Sequence, residues 1–243
     1  MTDLHLKNWL TARLGTLLEV LHSPEAAFAR DLSGPSFIVP LVVLGLLFAS
    51  LATLQSPIQL AWAERQMETR GISDEAIATS LESMRKYNTV GAVIVPLLLL
   101  AKWALFAALL WLTAQLACDS LDFGSILNLV AYAYIPIGFR DLAIYLVLLL
   151  RSGEALARAD GLTVSLGLNL VFPSIRLPWA VLAANVNAFE LWHGLLLVVG
   201  LAKLTSIRWQ RAFAVVLPNW LFVALVQVGI ASLGLSLQSA LKS

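Results

Sequence analysis

The sequence predicts an all-α membrane protein: a bundle of five transmembrane helices with an amphipathic N-terminal helix and an extracytoplasmic helical hairpin. Of its 243 residues, 59% are hydrophobic and 13% are charged, whereas a soluble domain has about 25% charged residues. Five apolar stretches cover about 35–55, 89–117, 123–150, 189–204 and 212–237. Most of them reach the length of about 20 residues that crosses a bilayer as a helix. Without an internal repeat or a linker, we expect a single membrane domain over residues 1–243.

Residues 1–34 precede the first span and predict a cytosolic amphipathic segment. Leucines recur at helical spacing from Leu6 to Leu21, and Lys7 and Arg13 fall on the other side of the helix. Trp9 suits the headgroup region of a bilayer. The helix is therefore expected to lie on the membrane or to pack on the protein's own cytosolic face. Trp9 and Arg13 are candidate contacts with lipid or with a partner.

Residues 56–87 lie between the first two spans and predict a helical hairpin over the membrane surface. Ser56-Pro57 and Ser73-Asp74-Glu75 both have the pattern of a helix start. The hairpin is expected to bend at Gly71. Since it follows the first span, it lies outside the cytoplasm if the N-terminus lies inside.

Two spans carry charged residues at membrane depth, where a charge costs about 2.5 kcal/mol or more and normally has a partner. Lys102 lies near the middle of the second span, and Arg140 and Asp141 lie side by side in the third. The short connection from Cys118 to Asp122 makes these spans an antiparallel hairpin, in which the depths of Lys102 and Asp141 differ by only about 3 to 5 Å. We therefore predict a Lys102–Asp141 ion pair. It is either structural or a relay for protons or substrate.

Arg140 then requires another acceptor. Glu190 and the carbonyl groups freed at Pro136 are candidates, and Arg140 is also a candidate for binding an anionic lipid or substrate head group. Glu190 and His193 lie three residues apart at the start of the fourth span, so they are expected on one helix face. Two ligands make a poor metal site, and no metal or other cofactor is predicted.

The segment from 151 to 188 is the least readable part of the chain. Apolar residues alternate with small or polar ones from Leu162 to Leu170, which is the period of a strand. An isolated strand is not viable in lipid. We therefore expect a hairpin or an extended segment outside the bilayer, with a re-entrant piece as the alternative. A short apolar helix or surface segment is expected over 177–184.

The turn between spans four and five is basic and contains no acidic residue. It carries Lys203, Arg208 and Arg211. By the positive-inside rule this turn lies in the cytoplasm, which puts the N-terminus there as well. The summed count of basic residues over all segments does not favour this orientation, but long loops follow the rule poorly. Arg208 and Arg211 are candidate residues of a partner or lipid surface.

Three stretches of the chain resemble the Yip family of five-span membrane proteins, in particular its bacterial branch. They are LLEVLHSPEAAFARDL before the first span, LNLVAYAYIPIGF in the third, and NAFELWHGLLLVVGLAKLTSIRWQRAFAVVLPNWLF in the fourth and fifth. The resemblance implies a cytosolic N-terminus and a C-terminus on the far side of the membrane. Eukaryotic members are tied to Rab GTPases through a longer N-terminal region than this chain has. Some bacterial members are associated with ABC-type exporters as accessory subunits.

The chain offers little for catalysis, because its serine, histidine, cysteine and acidic residues form no nucleophile–base arrangement. The first hypothesis is a non-enzymatic accessory or scaffolding subunit of a complex in the bacterial inner membrane, with exporter subunits as the suggested partners. The second is a small transporter or channel that uses the buried charges. The third is a membrane receptor for a cytosolic GTPase. The lipid bilayer and a second copy of the chain are further predicted partners, and nucleic acid is not.

Overall fold

The protein is all-helical, as the sequence predicts. The computed structural model describes residues 3–29, 34–118, 121–151, 153, 155, 161–172 and 179–240, with side chains between Lys7 and Leu233. No strand occurs in these ranges. The helices are α1 (Asp3–His22), α2 (Pro24–Ala29), α3 (Ile38–Thr69), α4 (Asp74–Ala114), α5 (Phe123–Ala133), α6 (Ile135–Leu150), α7 (Trp179–Asn185), α8 (Ala188–Thr205) and α9 (Trp209–Ala240).

Five helical segments are long and apolar enough to cross a membrane, which confirms the predicted number. They are Ile38–Thr69, Asp74–Ala114, Phe123–Leu150, Ala188–Thr205 and Trp209–Leu233. The fourth agrees with its predicted bounds within one residue at each end. The first two are much longer than the predicted spans, because each continues as helix into the predicted hairpin.

The chain forms two compact units. One, which we call the α5 unit, comprises Met1–Pro40, Lys102–Ile137 and Ser165–Ser243. The other, the hairpin unit, comprises Leu41–Ala101 and Gly138–Val164.

Helix α5 is the core of the α5 unit. Every residue from Ile126 to Ala133 is buried. A Cβ atom added at Gly200 of α8 would lie 2.1 Å from Leu129 Cδ1 and 3.2 Å from the ring of Phe28. The missing side chain at Gly200 thus lets α2, α5 and α8 approach one another closely, as small residues do in membrane bundles.

Asn128 of α5 fixes the start of α3 through two hydrogen bonds. Its Nδ2 donates to the carbonyl oxygen of Gly34 at 2.9 Å, and its Oδ1 accepts from the backbone N–H of Phe37 at 2.7 Å. Asn128 is 1% exposed. A buried amide with both ends paired satisfies backbone groups that helix α3 leaves open at its first turn.

In the hairpin unit, α3 and α4 are joined at the predicted bend, a turn in which Gly71 has a φ of 70°. The predicted helix start at Ser56-Pro57 is wrong, because α3 runs through both residues. The Ser56 hydroxyl does not cap a helix but accepts a hydrogen bond from Asn88 Nδ2 on α4 at 3.0 Å. Further along the pair, a Cβ at Gly45 would lie 3.2 Å from Pro96. The predicted start at Ser73-Asp74 is correct.

The strand predicted between Leu162 and Leu170 does not form. In its place the described backbone is irregular, with one isolated bridge between Gly167 and Asn187 and a single 3₁₀ turn over Leu168–Leu170. The guanidinium of Arg151 donates hydrogen bonds to the carbonyl oxygens of Gly161 and Thr163, which a neighbouring strand would bind in a sheet. The alternating pattern has no second strand to pair with, which explains the failure. The short helix predicted over 177–184 exists as α7, and residues 177 and 178 lie outside the described residues.

Candidate functional site: a polar cavity in the α5 unit

A cavity of about 210 Å³ lies among helices α4, α5, α7, α8 and α9 of the α5 unit. Most of its wall is apolar and aromatic. Six polar side chains line it: Lys102, Tyr134, Asn185, Glu190, His193 and Gln227. Three of the five residues predicted for the intramembrane site, Lys102, Glu190 and His193, are therefore brought together.

Lys102 contacts Tyr134 within the α5 unit, whereas the predicted pair with Asp141 joins residues of two units and stays a prediction. Lys102 Nζ donates to Tyr134 Oη at 2.6 Å and lies 5.0 Å from the centroid of the ring. The reason is the position of the turn. Helix α4 ends at Ala114 and α5 begins after Asp122, so Lys102 and Tyr134 each lie twelve residues, or about 18 Å, from the connection. Asp141 lies seven residues further along the chain.

Arg140 and Asp141 belong to the hairpin unit and pair with each other. Arg140 Nε donates to Asp141 Oδ1 at 2.8 Å, and a second guanidinium nitrogen lies 2.8 Å from the same oxygen. Asp141 is thus an acceptor of Arg140 that the sequence did not suggest. The acceptors predicted for Arg140, Glu190 or a carbonyl freed at Pro136, stay a prediction. Neighbouring residues on a helix do not face each other, but the long arginine side chain folds back to reach Asp141.

Glu190 and His193 lie on one helix face, as their spacing predicts. His193 Nδ1 is 3.8 Å from Glu190 Oε2, beyond hydrogen-bond distance. His193 is 7% exposed, and neither ring nitrogen has a hydrogen-bond partner among the described residues. The imidazole packs edge-on against Tyr134, with 5.5 Å between ring centroids. One histidine and one carboxylate supply two of the four ligands that a zinc site requires.

The sequence reasoning missed three features of the cavity. Trp103 is 1% exposed and its Nε1 has no hydrogen-bond partner in the described part of the chain. Asn185 Nδ2 donates to Gln227 Oε1 at 2.8 Å, joining α7 to α9. Tyr134 could have been found from the sequence, since it lies two residues before Pro136, which interrupts the third span. Asn185 and Gln227 could not, because they are 42 positions apart and neither has a special spacing.

Helix α1 has one buried face and one exposed apolar row. Leu17 and Val20 are buried against the rest of the α5 unit. Leu10, Leu14 and Leu18 form a second row, one turn apart, and are 39%, 46% and 67% exposed. Trp9 and Arg13 are half-buried, and the carbonyl oxygen of Arg13 accepts a hydrogen bond from Tyr132 Oη at 3.5 Å. The helix therefore packs on the protein with one face and leaves an apolar row uncovered.

The basic turn between α8 and α9 is exposed at both of its candidate residues. The carbonyl oxygen of Arg208 accepts from the backbone N–H groups of Arg211 and Ala212 at 3.0 and 3.2 Å, which starts α9. The side chains of Arg208 and Arg211 lie on the surface. Nearby, Lys203 Nζ pairs with Glu25 Oε2 of α2 at 2.8 Å.

Comparison with known proteins confirms the family suggested by the three motifs. A family model of the Yip1 domain matches residues 18–231, from the middle of α1 to near the end of α9. No curated protein and no solved structure matches the chain. The matched region contains all five spans except the last residues of the fifth, and the whole cavity. With most of its length covered by this model, the chain belongs to the Yip1 domain family of membrane proteins.

Proposed function

We propose that this protein is a non-enzymatic accessory or scaffolding subunit of a complex in the bacterial inner membrane, with its N-terminus in the cytoplasm. The observation that carries the proposal is the length of α3 and α4, which exceeds what a crossing of the bilayer requires. An ABC-type exporter is the assembly that the resemblance to bacterial Yip proteins suggests.

The lengths of α3 and α4 support a projecting hairpin. These helices have 32 and 41 residues. At 1.5 Å per residue they are about 48 and 60 Å long, whereas the hydrocarbon core is about 30 Å thick. Roughly 20 to 30 Å of paired helix therefore remains outside the lipid. This is enough surface for a protein–protein contact.

The surface of the projecting part is charged and its interior is packed. Ile77 and Ala63 are buried, while Glu82 and Lys86 form an exposed ion pair at 2.8 Å. A packed hairpin holds its surface charges at fixed positions. It can present them to another polypeptide without an ordering cost at the moment of binding.

Native purification tests the proposal. The tagged full chain, extracted in mild detergent or directly into nanodiscs, is expected to run with other polypeptides that mass spectrometry identifies. The double variant Arg70→Glu with Arg85→Glu reverses two exposed hairpin charges and should release those partners without changing the melting temperature. A lone monomer in every such preparation would refute the proposal. Recovery of only a second copy of this chain would refute the complex with other proteins and show a homo-oligomer instead.

The cavity of the α5 unit favours a second candidate, a small transporter. Lys102, Glu190 and His193 line one space within the membrane-spanning helices. A transport path requires water to reach them. In a Cys118→Ser background, a cysteine at Phe106 or Val223, which line the cavity and are half-buried, should then react with a small water-soluble thiol reagent. Absence of reaction at both positions would argue for a dry cavity and against transport.

The proposed orientation has its own test. A cysteine at Ser206, in the basic turn, should be protected from a membrane-impermeant reagent in intact cells, whereas one at Arg70 in the hairpin should react. The receptor hypothesis for a cytosolic GTPase, which requires a partner surface around Leu6 to Arg30 and Arg208, stays a prediction.

A further inference from the structure

We propose that the cavity of the α5 unit binds the carboxylate group of a small amphiphile, with Lys102, Trp103 and Tyr134 at the carboxylate. Two sources share this chemistry: a fatty acid of the bilayer and a short carboxylic acid from solution. The proposal goes beyond a scaffolding role, since it concerns a ligand of the isolated chain and needs no partner protein.

The first argument is a surplus of hydrogen-bond donors. Trp103 Nε1 and both ring nitrogens of His193 are buried without a partner among the described residues. The indole N–H can only donate, and a neutral imidazole offers one donor. Lys102, whose side chain is exposed, adds an ammonium group with three hydrogens, one of which points to Tyr134. Buried donors such as those of Trp103 and His193 normally have acceptors, so the site suits a group that accepts several hydrogen bonds.

The second argument is charge. No carboxylate in the described part of the chain lies within 4 Å of Lys102 Nζ, whose hydrogen-bond partner is the neutral phenol of Tyr134. Glu190 is the one carboxylate among the described lining residues, and it lies 3.8 Å from His193 Nδ1. A cation at this depth normally has a counter-charge. An anionic ligand would supply it on the side of Lys102.

The third argument concerns size and the rest of the wall. Leu105, Phe106, Leu109 and Val223 line the space beside the polar groups. The volume is about 210 Å³, and an apolar cavity of about 150 Å³ takes up benzene. The cavity thus accommodates a carboxylate with an apolar body of a few carbon atoms, or the head of an acyl chain whose tail continues between the helices.

Equilibrium binding to the full chain in nanodiscs of zwitterionic lipid tests the proposal. The probes are radiolabelled octanoate, palmitate and octanol, the last being the uncharged counterpart of the first. Saturable binding of octanoate supports a soluble source, and binding of palmitate alone supports a bilayer source. Octanol should bind at least about tenfold more weakly than octanoate, because it lacks the charge-assisted hydrogen bonds. Equal binding of octanol, or no saturable binding of either acid, would overturn the proposal.

Variants assign the binding to the cavity. Lys102→Met should weaken binding of the acid by about tenfold or more, and Trp103→Phe, which removes only the indole donor, by a smaller factor. Lys203→Met is the matched control, since Lys203 pairs with Glu25 on the surface and should leave binding unchanged. Melting temperatures establish that each variant is folded. If Lys102→Met does not fold, Trp103→Phe decides. Unchanged affinity in the folded variants would refute the assignment.

Discussion

The span that contains α5 and the span formed by α4 are both apolar, yet the less apolar one is the more buried. In Phe123–Leu150 the mean hydropathy is 1.7 and 39% of the apolar window is buried within the protein, whereas in Asp74–Ala114 the values are 2.4 and 22%. In a membrane protein, a span of high hydropathy is therefore one that exposes much of its surface to lipid. The helix that faces protein carries the polar and small residues instead.

Individual residues show the same contrast. Helix α5 places Asn128 and Tyr132 in positions that are almost fully inaccessible, and both form hydrogen bonds with other segments. Helix α4 places Leu97 and Leu98 on its surface, 68% and 61% exposed. In water this distribution would be inverted. In lipid it is expected, since leucine gains nothing by leaving hydrocarbon while a polar group gains a partner.

The largest effect should come from the same substitution made in both regions. Asn128→Leu strands the carbonyl oxygen of Gly34 and the N–H of Phe37, and should lower the free energy of unfolding by about 2 to 4 kcal/mol, since each buried unpaired group costs about 1 to 3 kcal/mol. Asn88→Leu in the hairpin removes one hydrogen bond to Ser56 and should cost about 1 kcal/mol or less.

Titration with a denaturing detergent in mixed micelles measures both values. Asn128→Asp refines the result, because it keeps an acceptor for Phe37 and loses the donor to Gly34. Equal losses in the free energy of unfolding at Asn128 and Asn88 would contradict this prediction. They would show that a buried polar group in the α5 unit stabilises the protein no more than Asn88 does in the hairpin.

The next effect concerns helix packing. Gly200→Ala introduces a Cβ that overlaps Leu129 Cδ1 and crowds Phe28, both of which are buried. We expect a loss of about 1 to 3 kcal/mol, the usual cost of overpacking. Gly194→Ala on the same helix is the control, since a Cβ there meets nothing within 4 Å. It should leave stability unchanged or raise it slightly, because alanine favours helix. Similar melting temperatures for the two variants would contradict the close approach of α2, α5 and α8.

How far the sequence predicted the fold follows from the same physics. Apolar length predicted the five spans, because lipid leaves a single segment of backbone no alternative to helix. The turn at Gly71 was predicted from the glycine itself, which adopts a positive φ without strain. Helix ends were less accurate. Ser56-Pro57 has the local pattern of a start, but a proline inside a membrane-spanning helix is tolerated, and the contact with Asn88 lies 32 positions away in the chain.

The candidate site was predicted in part for a related reason. Lys102, Glu190 and His193 were found because ionisable residues in apolar spans are rare and need partners. The contact of Lys102 with Tyr134 was not predicted, since only opposite charges were considered as partners of the lysine. A tyrosine hydroxyl also satisfies an ammonium group. The role of Trp103 in the cavity could not be predicted, because tryptophan in a membrane span is usually an interfacial residue.

A smaller effect is expected at the start of α5. The Asp122 side chain accepts from the backbone N–H and the hydroxyl of Ser125 at 2.9 and 3.3 Å and is exposed. Asp122→Ala should cost about 1 kcal/mol, as loss of an N-cap does, and Asp122→Asn should recover most of it. A loss as large as that of Asn128→Leu would mean that the end of α5 matters as much as its buried middle.

The smallest effects should come from the two exposed ion pairs, one in each unit. Lys203 and Glu25 join α8 to α2, with side chains 41% and 71% exposed, and Lys86 and Glu82 lie one turn apart on α4, 74% and 66% exposed. Each is at 2.8 Å, but water screens both. Glu25→Gln and Glu82→Gln should each cost about 0.5 kcal/mol or less, and the difference should vanish at 1 M salt, where the Debye length is about 3 Å. A salt-independent loss at Glu25 that is several times the loss at Glu82 would mean that Lys203 is effectively buried in the membrane-bound protein. Substitutions on the surface of the α5 unit would then cost as much stability as substitutions in its interior.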